Sequence, residues 1–385
     1  MIHDLIVFGE DWGGLPSSTQ HLIRHLAKTR NVIWVNSIGL RRPVLSWRDL
    51  KRVWHKLTAG TACQYGVTQI AMPQMPAPNS TYFHIVHPRT LPAPRSRIGR
   101  WLAVQLLVAQ IKPKIKKANL QSPILWTSLP TAVDMAGHLD ESALVYYCGD
   151  DFSALAGVDH ETVTQREYEL IAKADLIITA SEQLTQDTPA SRTQLLTHGV
   201  DYSLFSRPME RATDMPNDGR NIAGFYGSIS EWLDLELLQD TISRMPNWHF
   251  VFIGKAVIDV SPLTRFDNVT LLGERPHHTL PSYSQHWTAS LLPFIDNAQI
   301  QACNPLKLKE YLATGCPIIS TSFPAVHAYK GLVQIANSSD AMVTALWASE
   351  HLHPLPDFSQ ALRNKVAKHS WSARAKQVST WLESL

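Results

Sequence analysis

The chain has 385 residues, a length that suits two α/β domains. Hydrophobic residues make up 44% and charged residues 18%, a globular balance that excludes a mostly disordered chain. The four cysteines, Cys63, Cys148, Cys303 and Cys316, form no C-x-x-C pair. Reduced thiols in a cytoplasmic protein are therefore expected rather than a zinc cluster. The first residues lack the basic start and long apolar run of a signal peptide. No run of about 18 apolar residues occurs, so no membrane-spanning helix is expected.

A predicted strand over 3–8 leads through Gly9-Glu-Asp-Trp-Gly-Gly14 to a predicted helix over 17–29. Gly13 and Gly14 suit close approach of the backbone to a ligand at a helix N-terminus, or a tight strand-to-helix turn. The loop is not a full G-x-G-x-x-G, so a dinucleotide role is not expected.

After a strand over 31–36 comes a basic stretch: Arg41, Arg42, Arg48, Lys51, Arg52 and Lys56, interleaved with Trp47, Leu50, Val53, Trp54 and Leu57. Read as a helix, 47, 50, 53, 54 and 57 share one apolar face. A basic amphipathic helix with tryptophan at its edge suits an anionic membrane surface, where each Lys or Arg contributes about 1 kcal/mol. Arg48, Lys51, Arg52, Trp54 and Lys56 are the candidate contacts. An ordinary amphipathic helix packed on a core is the plainer alternative. No nucleic-acid-binding motif accompanies the charge, and no nucleic-acid partner is expected.

A strand over 67–71 is followed by a second basic cluster, Arg95, Arg97, Arg100 with Trp101, then Lys112, Lys114, Lys116 and Lys117, around a helix over 97–111. Residues 1–120 hold 17 Lys and Arg against four acids, and residues 121–385 hold 18 against 29. The first third of the chain is a cation and the rest an anion.

Strands at 123–127, 143–148, 175–179 and 193–197 alternate with helices at 160–173 and 181–188. The segment Val145-Tyr-Tyr-Cys-Gly-Asp-Asp-Phe152 ends its strand in two carboxylates. Asp151 or Asp150 is the candidate general base for an acceptor hydroxyl; capping of the next helix is the alternative. Residues 206–221 are polar and rich in turn formers, which reads as a linker. The alternation then resumes, with strands at 222–227, 248–253, 269–272, 289–293 and 317–321. Helices are expected near 234–244, 305–314, 338–348, 357–368 and 371–384. This pattern predicts an α/β protein of two doubly wound Rossmann-like domains, 1–205 and 222–370, facing across a cleft, with a last helix over 371–385.

The richest segment is Asn304-Pro-Leu-Lys-Leu-Lys-Glu-Tyr-Leu-Ala-Thr-Gly-Cys-Pro-Ile-Ile-Ser-Thr321. Pro305 fits a helix start and Gly315 a helix end. Lys307 and Glu310 fall on one face near the N-terminus. A lysine at a helix N-terminus suits a diphosphate, and a carboxylate one turn further in suits sugar hydroxyls. A surface ion pair between the two fits the spacing equally well. His277-His278 is a lone pair, and no H-E-x-x-H occurs, so loop or surface histidines are expected rather than metal ligands.

This segment resembles the nucleotide-sugar signature of GT-B glycosyltransferases, in which a Glu precedes "L-A-x-G-x-P". Ala180-Ser-Glu-Gln-Leu with His198-Gly-Val-Asp-Tyr-Ser-Leu-Phe205, Ile222-Ala-Gly-Phe-Tyr-Gly-Ser228, Leu272-Gly-Glu-Arg-Pro-His-His-Thr-Leu-Pro281, Leu292-Pro-Phe294 and Ser370-Trp-Ser372 are similar to other segments of these enzymes, in the same order. The nearest likeness is to bacterial polysaccharide enzymes of the teichuronic-acid type. The family implies a nucleotide-diphosphate donor, a UDP-sugar for choice, with no metal or other cofactor. It also implies a lipid-linked or polysaccharide acceptor, at the cytoplasmic face of the inner membrane, and a C-terminal helix that crosses back to the first domain. Donor contacts would come from Lys307, Glu310, Asn304, Pro305, Leu306, Gly227, Ser228 and Lys255, with Gly13 and Gly14 near donor and acceptor.

Two departures stand out. The family 4 enzymes carry a second Glu eight residues upstream of Glu310, where this chain has Ala302, and basic residues after the turn at Gly227, where this chain has none. A lysine in the position of Lys307 resembles the xanthan glucuronosyltransferase group instead. A GT-B epimerase and a non-catalytic GT-B-like binding subunit are the alternatives.

Overall fold

The computed structural model describes residues 2–14, 17–38, 82–91, 95–150, 159–353 and 355–385. Two compact units emerge, the first formed by residues 1–197 with 374–385, the second by 198–373.

The first unit holds seven parallel strands: β1 (Leu5–Phe8), β2 (Val32–Val35), β3 (Phe83–Val86), β4 (Ile124–Thr127), β5 (Ala143–Cys148), β6 (Leu176–Thr179) and β7 (Thr193–Leu195). Their order is β3-β2-β1-β4-β5-β6-β7. The second holds β8 (Asn221–Tyr226), β9 (Trp248–Ile253), β10 (Val269–Gly273), β11 (Ala289–Leu292), β12 (Ile318–Ser320) and β13 (Val333–Ile335), in the order β10-β9-β8-β11-β12-β13. The inner strands are unbroken apolar runs because helices cover both faces of a parallel sheet. In each sheet the order reverses beside the first strand, at β1/β4 and at β8/β11, and ligands of such sheets bind at the carboxyl ends of those strands.

Two strands escaped the sequence reading, β3 and β13. Both lie at sheet edges, where one side lacks a neighbour and the apolar run is short. The strand expected at 67–71 lies outside the described residues. The helix expected to end at 111 runs from Arg97 to Ala118, through Pro113. Pro113 removes the amide that would bond the carbonyl of Ala109, but both residues are exposed, so that carbonyl is open to solvent and the helix continues.

The segment 206–221 is not a free linker. Met209 N–H donates to Gln285 Oε1 (2.9 Å), and Gln285 Nε2 donates to the carbonyls of Phe205 and Arg207 (2.8 Å each). Arg275 pairs with Asp214 at 2.6 Å, and Met215 is buried. Its turn-forming composition misled because these polar groups bond to the second unit rather than to water. The boundary accordingly falls at 197/198, not at 205. The second crossing falls at 373/374, within the helix Trp371–Leu382. The fully buried Arg30 donates to Ser379 Oγ (2.7 Å) and pairs with Glu383 (3.1 Å), which anchors the C-terminal residues in the first unit.

Trp34, Trp126, Trp248 and Trp287 are among the largest fully buried side chains. Gly224 in β8 makes room for one of them, since a Cβ there would stand 2.0 Å from Cδ2 of Trp287. Gly224→Ala should destabilise the second unit by about 1–3 kcal/mol or more. The check is a lowered denaturant midpoint at unchanged slope; a midpoint equal to wild type would contradict this packing.

Candidate functional site

The β8/β11 reversal gathers the donor-type residues in the second unit. β8 ends at Tyr226, and the chain turns at Gly227 with φ +133°. Gly254, at the end of β9, has φ +139°, and a Cβ there would stand 2.0 Å from the carbonyl oxygen of Gly227. Only glycine at 254 lets the two turns stack this closely. Ser228 follows in the same turn, and the carbonyl of Lys255 accepts the amide of Ile229 at 2.9 Å, while the Lys255 side chain is exposed.

Lys307 reaches into this turn. A Cβ on Gly227 would lie 2.7 Å from its Nζ. The ammonium sits over the rings of Phe225 (4.7 Å) and Phe294 (5.4 Å), at the ends of β8 and β11. Lys307 is half-buried, and among the described residues no carboxylate pairs with it. Burial lowers its pKa from 10.5 to about 8, against the opposing charges of Cys303 and Glu310. The helix Leu306–Thr314 that carries it has Pro305 as its N-cap, in extended conformation, after Asn304. No side chain caps this helix, and the amide of Leu308 donates to the Pro305 carbonyl (3.1 Å), so those of Leu306 and Lys307 are left for an outside acceptor. Gly315, at φ +81°, ends the helix as its sequence predicted.

Glu310 does not pair with Lys307. Its Oε2 accepts the phenol of Tyr226 at 2.7 Å, and its Oε1 meets Nε2 of His277 at 2.7 Å. Tyr311, next on the helix, accepts the amide of Tyr226 through its hydroxyl (3.0 Å). Burial opposes a charge on His277. The charge of Glu310, its hydrogen bond and the charge of Asp201 outweigh that and hold the imidazole pKa above its ordinary value. Burial, with the charge of Glu310, pushes the Tyr226 phenol well up, so it stays a donor. His277 also stands edge-on to Phe205 at 5.4 Å.

The sequence suggests loop or surface histidines here, and the structure places both in the loop after β10, His277 half-buried against Glu310 and His278 exposed. No spacing rule links His277 to Glu310, because the contact joins a loop after β10 to a helix after β11. The only hint lay in the likeness of Leu272–Pro281 to a GT-B segment. Among the described residues no group of three or more His, Cys, Asp or Glu is placed to hold a metal ion.

In the first unit the loop after β1 is closed on itself. Gly13, at φ +80°, gives its amide to Gln20 Oε1 (3.2 Å), and Gly14 gives its amide to the Asp11 carbonyl (3.0 Å). Ser17 caps the helix Ser18–Leu26 and bonds Glu10. The tight turn thus accounts for both glycines, and neither amide is left for a ligand. Asp150, after β5, is exposed, and Sγ of Cys148 lies 3.7 Å from its carbonyl. Asp151 lies outside the described residues, as do Arg48, Lys51, Arg52, Trp54 and Lys56. In the second basic cluster, Arg95 pairs with Asp159 and Glu161, and Arg100 with Asp134 and Glu169.

No protein-family model matches the chain. A Bacillus subtilis (strain 168) protein, provisionally named teichuronic acid biosynthesis glycosyltransferase TuaH, is 27% identical over 228 residues. That alignment covers 54% of this chain and 57% of the relative, so it spans little more than half of either protein. Among solved structures, sucrose-phosphate synthase from Thermosynechococcus elongatus matches with a TM-score of 0.69 at 15% identity, over 99% of this chain and 98% of that one. Anabaena HepE in complex with UDP-glucose matches with a TM-score of 0.66 at 13% identity, over all of both chains. WaaG, a glycosyltransferase involved in lipopolysaccharide biosynthesis, gives 0.57 at 12% identity, over 97% of this chain and 98% of that one. The chain has the fold of the GT-B glycosyltransferases over nearly its whole length, and over about half of it resembles a polysaccharide-synthesis glycosyltransferase in sequence.

Proposed function

We propose that this protein is a glycosyltransferase that moves a sugar from a nucleotide diphosphate sugar, a UDP-sugar, to a polysaccharide or lipid-linked acceptor at the cytoplasmic face of a membrane. Lys307 is the observation that carries the reading. A half-buried ammonium without a carboxylate partner among the described residues, at an uncapped helix N-terminus and a strand-order reversal, is costly to the fold and suited to an anion.

In this reading the diphosphate lies against Lys307, the amides of the first turn after Asn304 and Pro305, including that of Leu306, and the turn at Gly227 and Ser228. Lys255 supplies a second, exposed cation. Lys307 counters the charge that grows on the leaving diphosphate as the bond from C1 to its oxygen breaks, so no metal is required. Asp151 or Asp150 takes the proton from the acceptor hydroxyl as its oxygen bonds to C1. An ionised carboxylate offers about four lone-pair sites. Tyr226 and His277 take two of these on Glu310, and Glu310 is the candidate acceptor for the hydroxyls of a ribose. The sequence similarity to TuaH supports the transferase reading, and the complexes of HepE with UDP-glucose support the donor class.

Lys307→Ala should lower kcat/KM for the UDP-sugar by about 10²–10³-fold, roughly 2.7–4 kcal/mol, and weaken UDP binding in calorimetry. Near wild-type values would remove the assignment. Retained UDP binding with no turnover on any acceptor would favour a binding subunit.

The lysine also sets a pH dependence. The folded chain holds the amine at about 8 rather than 10.5. Between these values the unfolded chain binds the proton more tightly, so this group's contribution to stability rises with pH across that window. Below pH 8 the cost of its charge is fully present. UDP affinity should fall above about pH 8, approaching tenfold per pH unit, and Lys307→Met should be flat there. The same variant should melt at a higher temperature than wild type without ligand, at pH 7. A lower melting temperature would make Lys307 a structural residue.

His277→Gln keeps a donor to Glu310 but removes the charge. We expect KM for the UDP-sugar to rise with kcat little changed, while the Lys307 pH step remains. An unchanged KM would show that Glu310 takes no part in donor binding.

A further inference from the structure

The helix Arg97–Ala118 has an outer face unlike that of a surface helix. Ala103, Val104, Leu107 and Ile111 face the core of the first unit. On the opposite side Ile98 is 74% exposed, Trp101 60%, Leu102 41% and Leu106 46%. Ala109 continues the same exposed face. Gln105 interrupts this face and Arg97 and Arg100 flank it, yet an outer face this apolar is unusual on a surface helix. Here the outer stripe lies open for three turns, roughly 16 Å at 1.5 Å per residue. Single exposed apolar side chains need no explanation, but a contiguous stripe marks a surface that something covers.

The charges on the same face name the cover. At the same three-to-four-residue spacing the stripe continues into Lys112, Lys116 and Lys117, all exposed. Lys112 reaches the exposed Asp140 at 3.0 Å, and neither Lys116 nor Lys117 forms an ion pair among the described residues. The whole helix contains six Lys and Arg and not one Asp or Glu. A protein interface core is depleted in lysine. An anionic bilayer takes tryptophan and aliphatic side chains at the acyl boundary and lysines among its headgroups.

We propose that the outer face of the helix Arg97–Ala118 is a lipid-docking surface, with Ile98, Trp101, Leu102 and Leu106 inserted into an anionic bilayer and Lys112, Lys116 and Lys117 on its headgroups. This deepens the membrane-facing part of the reading above and rests on it for the place of reaction, while UDP binding reports separately on the transfer part.

The test is flotation of the full chain with vesicles of phosphatidylglycerol and phosphatidylcholine, beside vesicles of phosphatidylcholine alone. Binding should require phosphatidylglycerol and weaken as salt rises. Replacing Ile98 and Trp101 together by Ser should lower partitioning about tenfold or more. Lys116→Ser with Lys117→Ser should lower it too, by less. These positions are exposed, so UDP affinity and the melting temperature should stay at wild-type values, which separates lost docking from lost folding. Wild-type flotation by the Ile98/Trp101 variant overturns the proposal. So does a wild-type dimer in sedimentation that Trp101→Ser converts to monomer, because a second copy would then be the cover.

Discussion

Glu310 is 8% exposed, and its two oxygens take a phenol from β8 and an imidazole from the loop after β10. One carboxylate thus joins three elements that lie far apart in the sequence. Tyr311 adds a third tie, from the same helix to the backbone of β8. Lys309, just before Glu310, donates to the carbonyl of His198, the first residue of the unit. The helix therefore has no freedom to slide or turn against the sheet. That rigidity fixes where Lys307 points, one turn earlier, and hence where its charge falls relative to the turn at Gly227. Losing the carboxylate would leave a buried phenol and a ring without their partner, each costing about 1–3 kcal/mol.

The two charged residues of this helix solve opposite problems. Glu310 is paired and satisfied, and it stabilises the unliganded fold. Lys307 is held over two aromatic rings, which compensate only part of the lost hydration. Its lowered pKa records the deficit. A fold under selection for stability alone would put an apolar side chain there. The cost is localised at the carboxyl ends of β8 and β11, where the sheet order reverses, and that coincidence gives the site its reading as an anion pocket.

Much of this architecture was legible from the sequence because parallel strands buried on both faces write themselves as unbroken apolar runs. The inner strands and the helix from Leu306 to Gly315 were read nearly to the residue. What was not legible depended on partners distant in the chain. Edge strands β3 and β13 carry too little apolar signal. Residues 206–221 look like a linker until Gln285 and Arg275 are seen to hold them. Spacing left an ion pair between Lys307 and Glu310 and separate roles for the two equally open, and in the fold each turns to a different neighbour. Gly13 and Gly14 suited a ligand as well as a turn, and only the acceptors Gln20 and Asp11 decide between them.

The basic character of the first third shows how far composition misleads about surfaces. Arg95 and Arg100 belong to the second basic cluster in the sequence, but carboxylates at 134, 159, 161 and 169 draw them into ion pairs. Those acids sit beyond residue 120, so a charge count divided there separates groups that the fold brings together. Among the described residues, Lys116 and Lys117 at the end of the helix Arg97–Ala118 stay outside ion pairs, while Lys112 reaches Asp140. The apolar stripe before these lysines was hidden for a related reason. Periodicity detects one apolar face against a polar one, and this helix has two apolar faces over its first three turns. Its inner stripe packs on the first unit's core, and its outer stripe stays without a protein partner among the described residues. Each face alone would read as ordinary core, and only their simultaneous presence on one solvent-facing helix makes the outer one a surface built to be covered.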